Sequence, residues 1–271
     1  LRNRFPTVDF TDCYKNPIMR KSGLSPDQLM RRQLYSLVRP RTADGGVNIL
    51  GNCFPTDETS ELVKIIRKSG RPLRDITCCK TYEGYQNMGA SNVHIAYNPP
   101  AKAGAEALSN RLGGTFLYLP LTFTAETIRK NLRLLCDVLG TGYDASQDEN
   151  QAEAALRHAK QLLGETEIAI DYTAVPAPMS LARCLLEHGF RVTRIYADSV
   201  AADDLADFRW LQKNAPEIEL YATVQVKLRV LPRETEKKTL AIGQKAAYFT
   251  GTKHFVNIVE GGGLFGFDGI R

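Results

Sequence analysis

The stretch that most constrains the fold is residues 47–70, VNILGNCFPTDETSELVKIIRKSG, which has the pattern of a strand, a turn and a helix. A short β-favouring apolar run ends at Gly51. A polar turn follows, in which Thr56 and Asp57 are candidate N-caps for a helix. Apolar residues then recur at helical spacing until a glycine closes the segment, at Leu62, Val63, Ile65, Ile66 and Gly70. The stretch therefore predicts one β–α unit.

The chain repeats this β–α unit in two arrays, the first from Val47 and the second from Glu167. Right-handed crossovers between such units make parallel sheets. The sequence thus predicts an α/β protein with two Rossmann-like parallel-sheet domains flanked by helices, at residues 47–164 and 165–271. Residues 1–46 are predicted to be the end of an incomplete first domain, with a linking helix. In such sheets, ligands bind beyond the carboxyl ends of the strands, where the strand order reverses.

Short apolar runs and capping residues give four local assignments within the arrays. Residues 74–79 are predicted to form a strand, which would turn its two adjacent cysteines to opposite faces of the sheet. Ser180 is predicted to cap a helix. Residues 235–244 are predicted to be helical, and residues 246–250 are predicted to form a strand.

The composition is typical of a folded protein with a solvated surface. The net charge is +5, and the Lys and Arg residues are scattered along predicted helix faces, which favours solvated helices over a nucleic-acid interface. No apolar run approaches the ~20 residues of a membrane span. Six cysteines without a CxxC motif favour a reducing compartment and no disulfides. We therefore expect a cytoplasmic protein that binds neither nucleic acid nor membrane.

The sequence contains no short motif with a strong chemical meaning, because it has neither GxGxxG after a strand nor GxxxxGK[ST]. The glycine-rich segment 261–266 is either a loop with close backbone approach or a ligand-binding turn. His94 alternates along a strand and is predicted to be a core residue, whereas His254 is placed near a cleft. No histidine has a Cys or carboxylate partner at metal-ligand spacing, so no metal ligand is predicted. Cys53, in the turn after the first strand, is either a ligand or reactive thiol, or a partly buried residue.

The candidate site is the set of residues expected at the carboxyl ends of the strands, where an interdomain cleft would gather them. Its polar side chains could orient a ligand, and its glycines would let backbone N–H groups approach a negative one. The alternative is that these turn residues serve backbone geometry alone. No catalytic residue is assigned. The set is Asn52, Cys53, Thr56, Tyr97, Asn98, Thr173, His254, Gly261, Gly262 and Gly263.

Three longer segments carry a resemblance to a known family. They read VNILGN from Val47, EIAIDYTAVPAPMSLARCLLEHGFRV from Glu167, and IGQKAAYFTGTKHFVNIVEGGGLFGFDGIR from Ile242. The last is the most specific, with a strand, a loop and a glycine-rich turn into GFDG. Together with the strand–helix units between them, they make the chain resemble the component 1 subunits of nitrogenase and nitrogenase-like oxidoreductases.

The resemblance implies a subunit of three Rossmann-like domains, of which this chain would hold the end of the first and all of the second and third. The chain begins at Leu1 without a Met or signal peptide and stops at Arg271 after a glycine-rich turn, so we expect a fragment. The resemblance implies an iron–sulfur cluster in the full-length complex, bound mostly by residues upstream of Leu1, and no cofactor in the fragment. It implies two partners: a second component 1-type subunit or another copy, and an ATP-hydrolysing iron–sulfur reductase that supplies electrons.

Three places depart from the nitrogenase pattern. In nitrogenase a Cys on a strand of the second domain ligates the metal cofactor, and the matching stretch VHIAYNP has Ala96 there. The second cofactor ligand, a His ahead of the glycine-rich turn, matches near Val256. The Gly-Gly and Arg loop that lines the cofactor is replaced by residues 174–179, AVPAPM. We therefore expect no cofactor held in the nitrogenase way, and a fragment that purifies colourless.

The sequence is compatible with three functions. The first is a redox subunit of the nitrogenase-like family, which takes electrons from the reductase to reduce a substrate in the interdomain cleft and is inactive as a fragment. The second is a non-catalytic scaffold or cofactor-assembly subunit of the same family. The third is an unrelated two-domain Rossmann-like transferase or metal-binding protein.

Overall fold

The protein is described by a computed structural model that covers residues 3–13, 23–231 and 238–271. The described residues contain two parallel sheets flanked by helices, which confirms the predicted α/β class. They group into two compact units. Unit 1 comprises Leu1–Pro55 and Ile65–Pro120, and unit 2 comprises Thr56–Lys64 and Leu121–Arg271.

Unit 1 is built on a parallel sheet of four strands. Its elements are α1 (Pro26–Tyr35), β1 (Gly46–Ile49), β2 (Leu73–Asp75), α3 (Tyr82–Asn87), β3 (Ser91–Ala96), α4 (Lys102–Leu112) and β4 (Thr115–Tyr118). Helix α2 (Glu61–Lys68) begins among the residues of unit 2 and ends among those of unit 1. The strand order is β2-β1-β3-β4, and Asn48 of β1 pairs with Arg74 of β2 and His94 of β3. All of β1 is buried, as expected for a central strand of a parallel sheet.

A capping box fixes the start of α1. The Ser25 hydroxyl accepts the Gln28 N–H at 3.3 Å, and Gln28 Oε1 accepts the Ser25 N–H at 2.7 Å. Pro26 occupies the first helical position, where its missing N–H costs nothing. The helix packs on α4, and Tyr35 at its end belongs to the core of unit 1. This packing sets which side chains of α1 reach the loop after β1.

His94 is a buried core residue, as the sequence predicts. Its side chain is 0% exposed, and its Nδ1 lies 3.0 Å from Asn48 Nδ2, which donates to it. Asn48 Nδ2 also donates to the Met88 carbonyl at 2.8 Å. Burial lowers the pKa of His94 to about 4, so the imidazole is neutral at physiological pH.

Unit 2 is built on a parallel sheet of five strands. Its elements are α5 (Ala125–Leu139), α6 (Ser146–Leu163), β5 (Glu167–Asp171), α7 (Pro178–Glu187), β6 (Arg191–Tyr196), α8 (Leu205–Asn214), β7 (Glu219–Tyr221), β8 (Thr239–Ile242), α9 (Gln244–Thr250) and β9 (Phe255–Val256). The strand order is β7-β6-β5-β8-β9. The central strand β5 pairs Ile170 with Ile195 of β6 and with Ile242 of β8.

The start of α7 differs from the sequence prediction. Pro178 is the first helical residue, and Ser180 lies inside the first turn instead of capping it. The orphan N–H groups of Met179 and Ser180 donate to the carboxylate of Asp204, at 2.9 and 2.8 Å. Asp204 lies 24 residues beyond Ser180 in the chain, so a tertiary contact supplies the cap that the local sequence lacks.

Three other local assignments are wrong or fall partly outside the described residues. Residues 74–79 are not one strand, because β2 ends at Asp75 and residues 76–78 form a 3-10 turn, so Cys78 and Cys79 do not alternate across a sheet. Within the predicted helix at 235–244, residues 235–237 lie outside the described residues and residues 239–242 form β8. Residues 246–250, predicted as a strand, belong to α9.

The predicted domain boundaries separate the two sheets, since β1–β4 lie within residues 46–118 and β5–β9 within residues 167–256. The compact units are divided differently, because α5 and α6 group with the second sheet. Phe123 and Leu156, for example, belong to its core. The domain boundaries therefore stay a prediction. None of the described helices is both long and apolar enough to cross a bilayer.

Candidate functional site

Each unit has one point at which its strand order reverses. In unit 1 the reversal lies between β1 and β3, and in unit 2 between β5 and β8. Helices then leave the two neighbouring strands on opposite faces of the sheet, which opens a crevice beyond their carboxyl ends. The loops that follow these strands are residues 50–53 and 97–98 in unit 1 and residues 172–174 in unit 2, where Gly243 also leads directly from β8 into the first turn of α9. These two switch points are where a ligand site is expected.

Asn52, at the switch point of unit 1, uses its side chain to hold the surrounding structure together. Its Nδ2 donates to both carboxylate oxygens of Asp75, at 3.1 and 2.8 Å, and to the Phe54 carbonyl at 2.7 Å. Asp75 ends β2 and also accepts the Thr77 N–H at 2.9 Å. The side chain of Asn52 thus fixes the loop after β1 to the neighbouring strand.

Cys53 is the exposed member of the same loop, not the partly buried alternative. Arg31, on α1, donates from Nη2 to Cys53 Sγ at 3.4 Å. Its Nη1 donates to the carbonyl of Gly51 at 2.6 Å, so one guanidinium holds both the loop backbone and the thiol. Sequence reasoning does not find Arg31, because nothing in the helix pattern of α1 says which residue reaches a loop twenty positions away.

The second loop of this switch point is buried. Tyr97 and Asn98 are 2% and 3% exposed, and Asn98 Oδ1 has no hydrogen-bond partner among the described residues. Tyr35, 1% exposed, interacts through its hydroxyl with the side chain of Arg31. Burial raises the pKa of Tyr35 to about 12, so this hydroxyl keeps its proton at neutral pH. Unit 1 therefore holds a polar donor and acceptor beside its strand ends.

Thr173, at the switch point of unit 2, belongs to a loop that closes on Asp171. The buried Asp171 carboxylate accepts the backbone N–H and the hydroxyl of Thr173, and also the Ala246 N–H of α9 at 2.7 Å. One carboxylate thus joins the end of β5 to the first turn of the helix that follows β8. The Thr173 hydroxyl is engaged inside the loop.

Lys245 places a positive charge at the switch point of unit 2. Its Nζ donates to the hydroxyls of Tyr172 and Thr223, the latter at 3.2 Å, and lies 4.3 Å from the centre of the Tyr172 ring. Thr223 in turn donates to Asp198 at 2.8 Å. A cavity of about 310 Å³ opens beside these groups, lined by Thr223, Arg229, Gln244, Lys245, Tyr248 and Phe249. Two cations, an amide and aromatic rings can together bind a small anionic molecule.

The glycine-rich turn at residues 261–263 lies next to the loop that contains Thr173. Glu260 donates its N–H to the Thr173 carbonyl at 2.8 Å, and Gly261 donates to the Ala174 carbonyl at 2.7 Å. Gly261 has a φ of +77°, and a β carbon there would lie 3.2 Å from Leu121. Glu260 itself has a φ of +52°, a conformation that costs energy for a residue with a β carbon.

The remaining predicted residues fall in different places. Thr56 is buried in unit 2, and its neighbour Asp57 donates its N–H to the Gly263 carbonyl at 2.9 Å. The structure thus brings Thr56, Thr173 and the 261–263 turn towards one another. His254 precedes β9, so it lies at the amino end of that strand with an exposed side chain. Whether the residues of unit 1 and unit 2 form one site stays a prediction.

The positions matched to the nitrogenase cofactor ligands do not fit a metal. Ala96 is fully buried in the core of unit 1, and Val256 is a half-exposed aliphatic residue, so neither offers a donor atom. No three His, Cys, Asp or Glu side chains of the described residues come together as a metal-binding group.

Comparison with solved structures identifies the fold. A structure of nitrogenase Cp1 at pH 6.5 matches with a TM-score of 0.61 and 14% identity, over 86% of this chain and 57% of that chain. A second, of nitrogenase Cp1 at pH 5, matches with a TM-score of 0.51 and 13% identity, over 92% of this chain and 60% of that chain. No protein-family model and no curated protein sequence matches. The chain has a nitrogenase-like fold and spans somewhat under two thirds of those nitrogenase chains.

Proposed function

We propose that this chain belongs to a component 1-type subunit of a nitrogenase-like oxidoreductase. The subunit accepts electrons from an ATP-hydrolysing iron–sulfur reductase and passes them to a substrate. The observation that supports this function is the likeness of the fold to nitrogenase Cp1 over 86% of this chain. Its partners are a second component 1-type subunit, or another copy, and the reductase. An iron–sulfur cluster of the complex is bound mostly by residues outside this chain.

The substrate site is assigned to the switch point of unit 2. Lys245 and Arg229 give the cavity beside β8 a positive character, and the Tyr248 ring supplies an apolar wall. The hydroxyls of Tyr172 and Thr223 orient the Lys245 ammonium, so its charge is preorganised. These groups favour a small substrate that carries a carboxylate or phosphate. In this assignment Lys245 binds and orients the substrate and stabilises negative charge that builds up as electrons arrive.

A second function has one observation in its favour. The absence of donor atoms at Ala96 and Val256 suits a scaffold or assembly subunit that holds a ligand without reducing it. Such a subunit would bind the reductase or a ligand but would not pass electrons on. The two functions therefore differ in turnover and not in binding.

The test is ATP-dependent oxidation of the reductase. The full-length protein is purified without oxygen together with its neighbouring subunit, and its iron content is measured. The reduced reductase is then mixed with the complex, with and without ATP, and its absorbance is followed. The proposed oxidoreductase gives oxidation that requires both ATP and the complex. Binding of the reductase without ATP-dependent oxidation would refute the oxidoreductase and favour the scaffold.

A further inference from the structure

The strand order of unit 2 is that of the sheets that bind mononucleotides. Counted from β5 as the first strand, β7-β6-β5-β8-β9 reads 3-2-1-4-5. In such sheets the phosphate lies on a glycine-rich turn at the start of the helix after the first strand. Here residues 172–177 contain no glycine, and the N–H groups of Met179 and Ser180 already donate to the carboxyl group of Asp204. The usual phosphate position is therefore filled, which leaves the cavity on the β8 side of the switch point.

Lys245 offers this cavity a donor that the protein does not use. Its Nζ donates to the hydroxyl of Tyr172 and to that of Thr223 at 3.2 Å. An ammonium group has three donors, so one stays available to a ligand. The two hydroxyls hold the charge at the wall of the cavity.

Arg229 is the second cation of the cavity wall. It ends the 3-10 turn Val226–Arg229, which is anchored by Leu228, a buried member of a core cluster of unit 2. The Arg229 guanidinium forms no hydrogen bond or ion pair with the described residues, and it lines the cavity together with Lys245. Two cations suit a phosphate monoester, with about −1.5 to −2 charges at neutral pH, better than they suit a single carboxylate.

An exposed aromatic ring lines the cavity beside these cations. Tyr248, on α9, is 56% exposed, and its ring meets that of Phe249 edge to face, with the ring centres 5.2 Å apart. Phe249 stacks on Tyr196 at 5.3 Å, which fixes the segment that carries Tyr248. Tyr248 and Phe249 both line the cavity. An aromatic side chain placed in this way can stack with a planar ring of a ligand.

We propose that the substrate site of unit 2 takes a planar heteroaromatic ring joined to a phosphate monoester. The ring stacks on Tyr248, and the phosphate is bound by Lys245 and Arg229. The cavity of about 310 Å³ lies at the lower end of the range for ligand pockets, so it suits one mononucleotide-sized molecule and not a dinucleotide. The inference rests on the proposed function only in calling this ligand a substrate, because the binding itself involves no electron transfer.

The test is isothermal titration calorimetry of the full chain with two mononucleotides, adenosine monophosphate and flavin mononucleotide, which share the phosphate and differ in the ring. Adenosine and riboflavin lack the phosphate, and ribose 5-phosphate lacks the ring. At least one mononucleotide is expected to bind about tenfold or more tightly than its own nucleoside and than ribose 5-phosphate, because both parts of the ligand are recognised. The tighter of the two identifies the preferred ring. Binding of neither mononucleotide at millimolar concentration, or affinities equal to that of ribose 5-phosphate, would overturn the proposal.

Variants of the cavity wall locate the binding. Tyr248→Leu should weaken the mononucleotide about fivefold or more through loss of stacking, and Arg229→Gln about tenfold through loss of a charge-assisted contact. The matched controls are Phe255→Leu, which replaces a 44% exposed aromatic residue of β9, and Arg209→Gln, which replaces an exposed cation of α8. Both controls should bind as the wild type does. An affinity that is unchanged in Tyr248→Leu or in Arg229→Gln would place the ligand elsewhere and overturn the proposal.

This test and the reductase assay can fail separately. Mononucleotide binding that depends on Tyr248 and Arg229 supports the inference even where no ATP-dependent oxidation of the reductase is seen. ATP-dependent oxidation by a complex whose protein binds neither mononucleotide overturns the inference and leaves the proposed oxidoreductase in place.

Discussion

Acid should weaken the fold through His94, whose pKa is lowered from 6.5 to about 4 by burial. The native protein holds this imidazole neutral and 0% exposed, whereas the unfolded chain binds a proton near the ordinary pKa. Only the unfolded state binds this proton between pH 6.5 and pH 4. The contribution to the free energy of unfolding is therefore complete above pH 6.5 and is lost as the pH falls towards 4. The shift is equivalent to about 3 kcal/mol.

Denaturant unfolding of the wild type and His94→Gln measures this contribution. Between pH 7 and pH 4.5 the wild type should lose about 2 kcal/mol more stability than His94→Gln, because the variant has no imidazole to protonate. The matched control is His158→Gln, since His158 is exposed on α6. Between pH 7 and pH 4.5, His158→Gln should lose as much stability as the wild type. Identical losses for the wild type and His94→Gln would refute the assignment of His94 as a buried neutral base.

Three further substitutions test the fold. Asp204→Ala removes the tertiary cap of α7 and should lower the free energy of unfolding by about 1–3 kcal/mol in chemical denaturation, whereas Glu106→Ala, at an exposed position of α4, should change it little. Gly114→Ala would place a β carbon 2.7 Å from the buried imidazole described above and should cost about 1–3 kcal/mol in the same assay, whereas Gly142→Ala, with open space around it, should not. Glu61→Gln should be more stable than the wild type at pH 8 and should flatten the pH dependence between 5 and 7. The reason is that burial raises the pKa of Glu61 to about 7, so the wild-type contribution, complete below about pH 4.5, is lost as the pH rises through 7.

Local chemistry predicts the elements whose determinants lie close in the sequence. The apolar run before Gly51 gives β1, and the Ser25 and Gln28 pair starts α1 as a capping box. The second array is predicted to begin at Glu167, and β5 begins there, with four of its five residues buried. In these elements the hydrophobic period, the turn residue and the tertiary environment agree.

The wrong predictions of secondary structure have causes that lie far away in the chain. Residues 246–250 include Tyr248 and Phe249, and this composition is typical of a strand, yet the residues are helical. The N–H of Ala246, in the first turn of this helix, donates to Asp171, 75 residues away in the chain. Because the sequence pattern predicts a strand over residues 246–250, it does not place Lys245 in a helix at a switch point. A signal existed, since TLAIG at 239–243 repeats the apolar run and glycine of VNILG.

The candidate site could be predicted only as far as topology allows. Strand order is set by pairing between distant segments, so the sequence identified loops such as 52–53 and 97–98 as strand ends without giving the side chains that face them. Arg31 and Tyr35 lie on α1, which precedes the β–α array, so the pattern of the array does not indicate them. Asn52 and Thr173 are in the predicted loops, but their polar groups bond within the structure.

The most direct test of the central claim is the rate of ATP-dependent reductase oxidation by complexes that carry wild-type protein, Lys245→Met or Lys213→Met. Lys213 is an exposed lysine of α8 and serves as the matched control for loss of charge. The account predicts ATP-dependent oxidation by the wild type and Lys213→Met, and a rate lower by about tenfold or more for Lys245→Met, because the ammonium that stabilises the negative charge arriving with the electrons is lost. Equal rates for all three complexes, or no oxidation that depends on ATP, would contradict it.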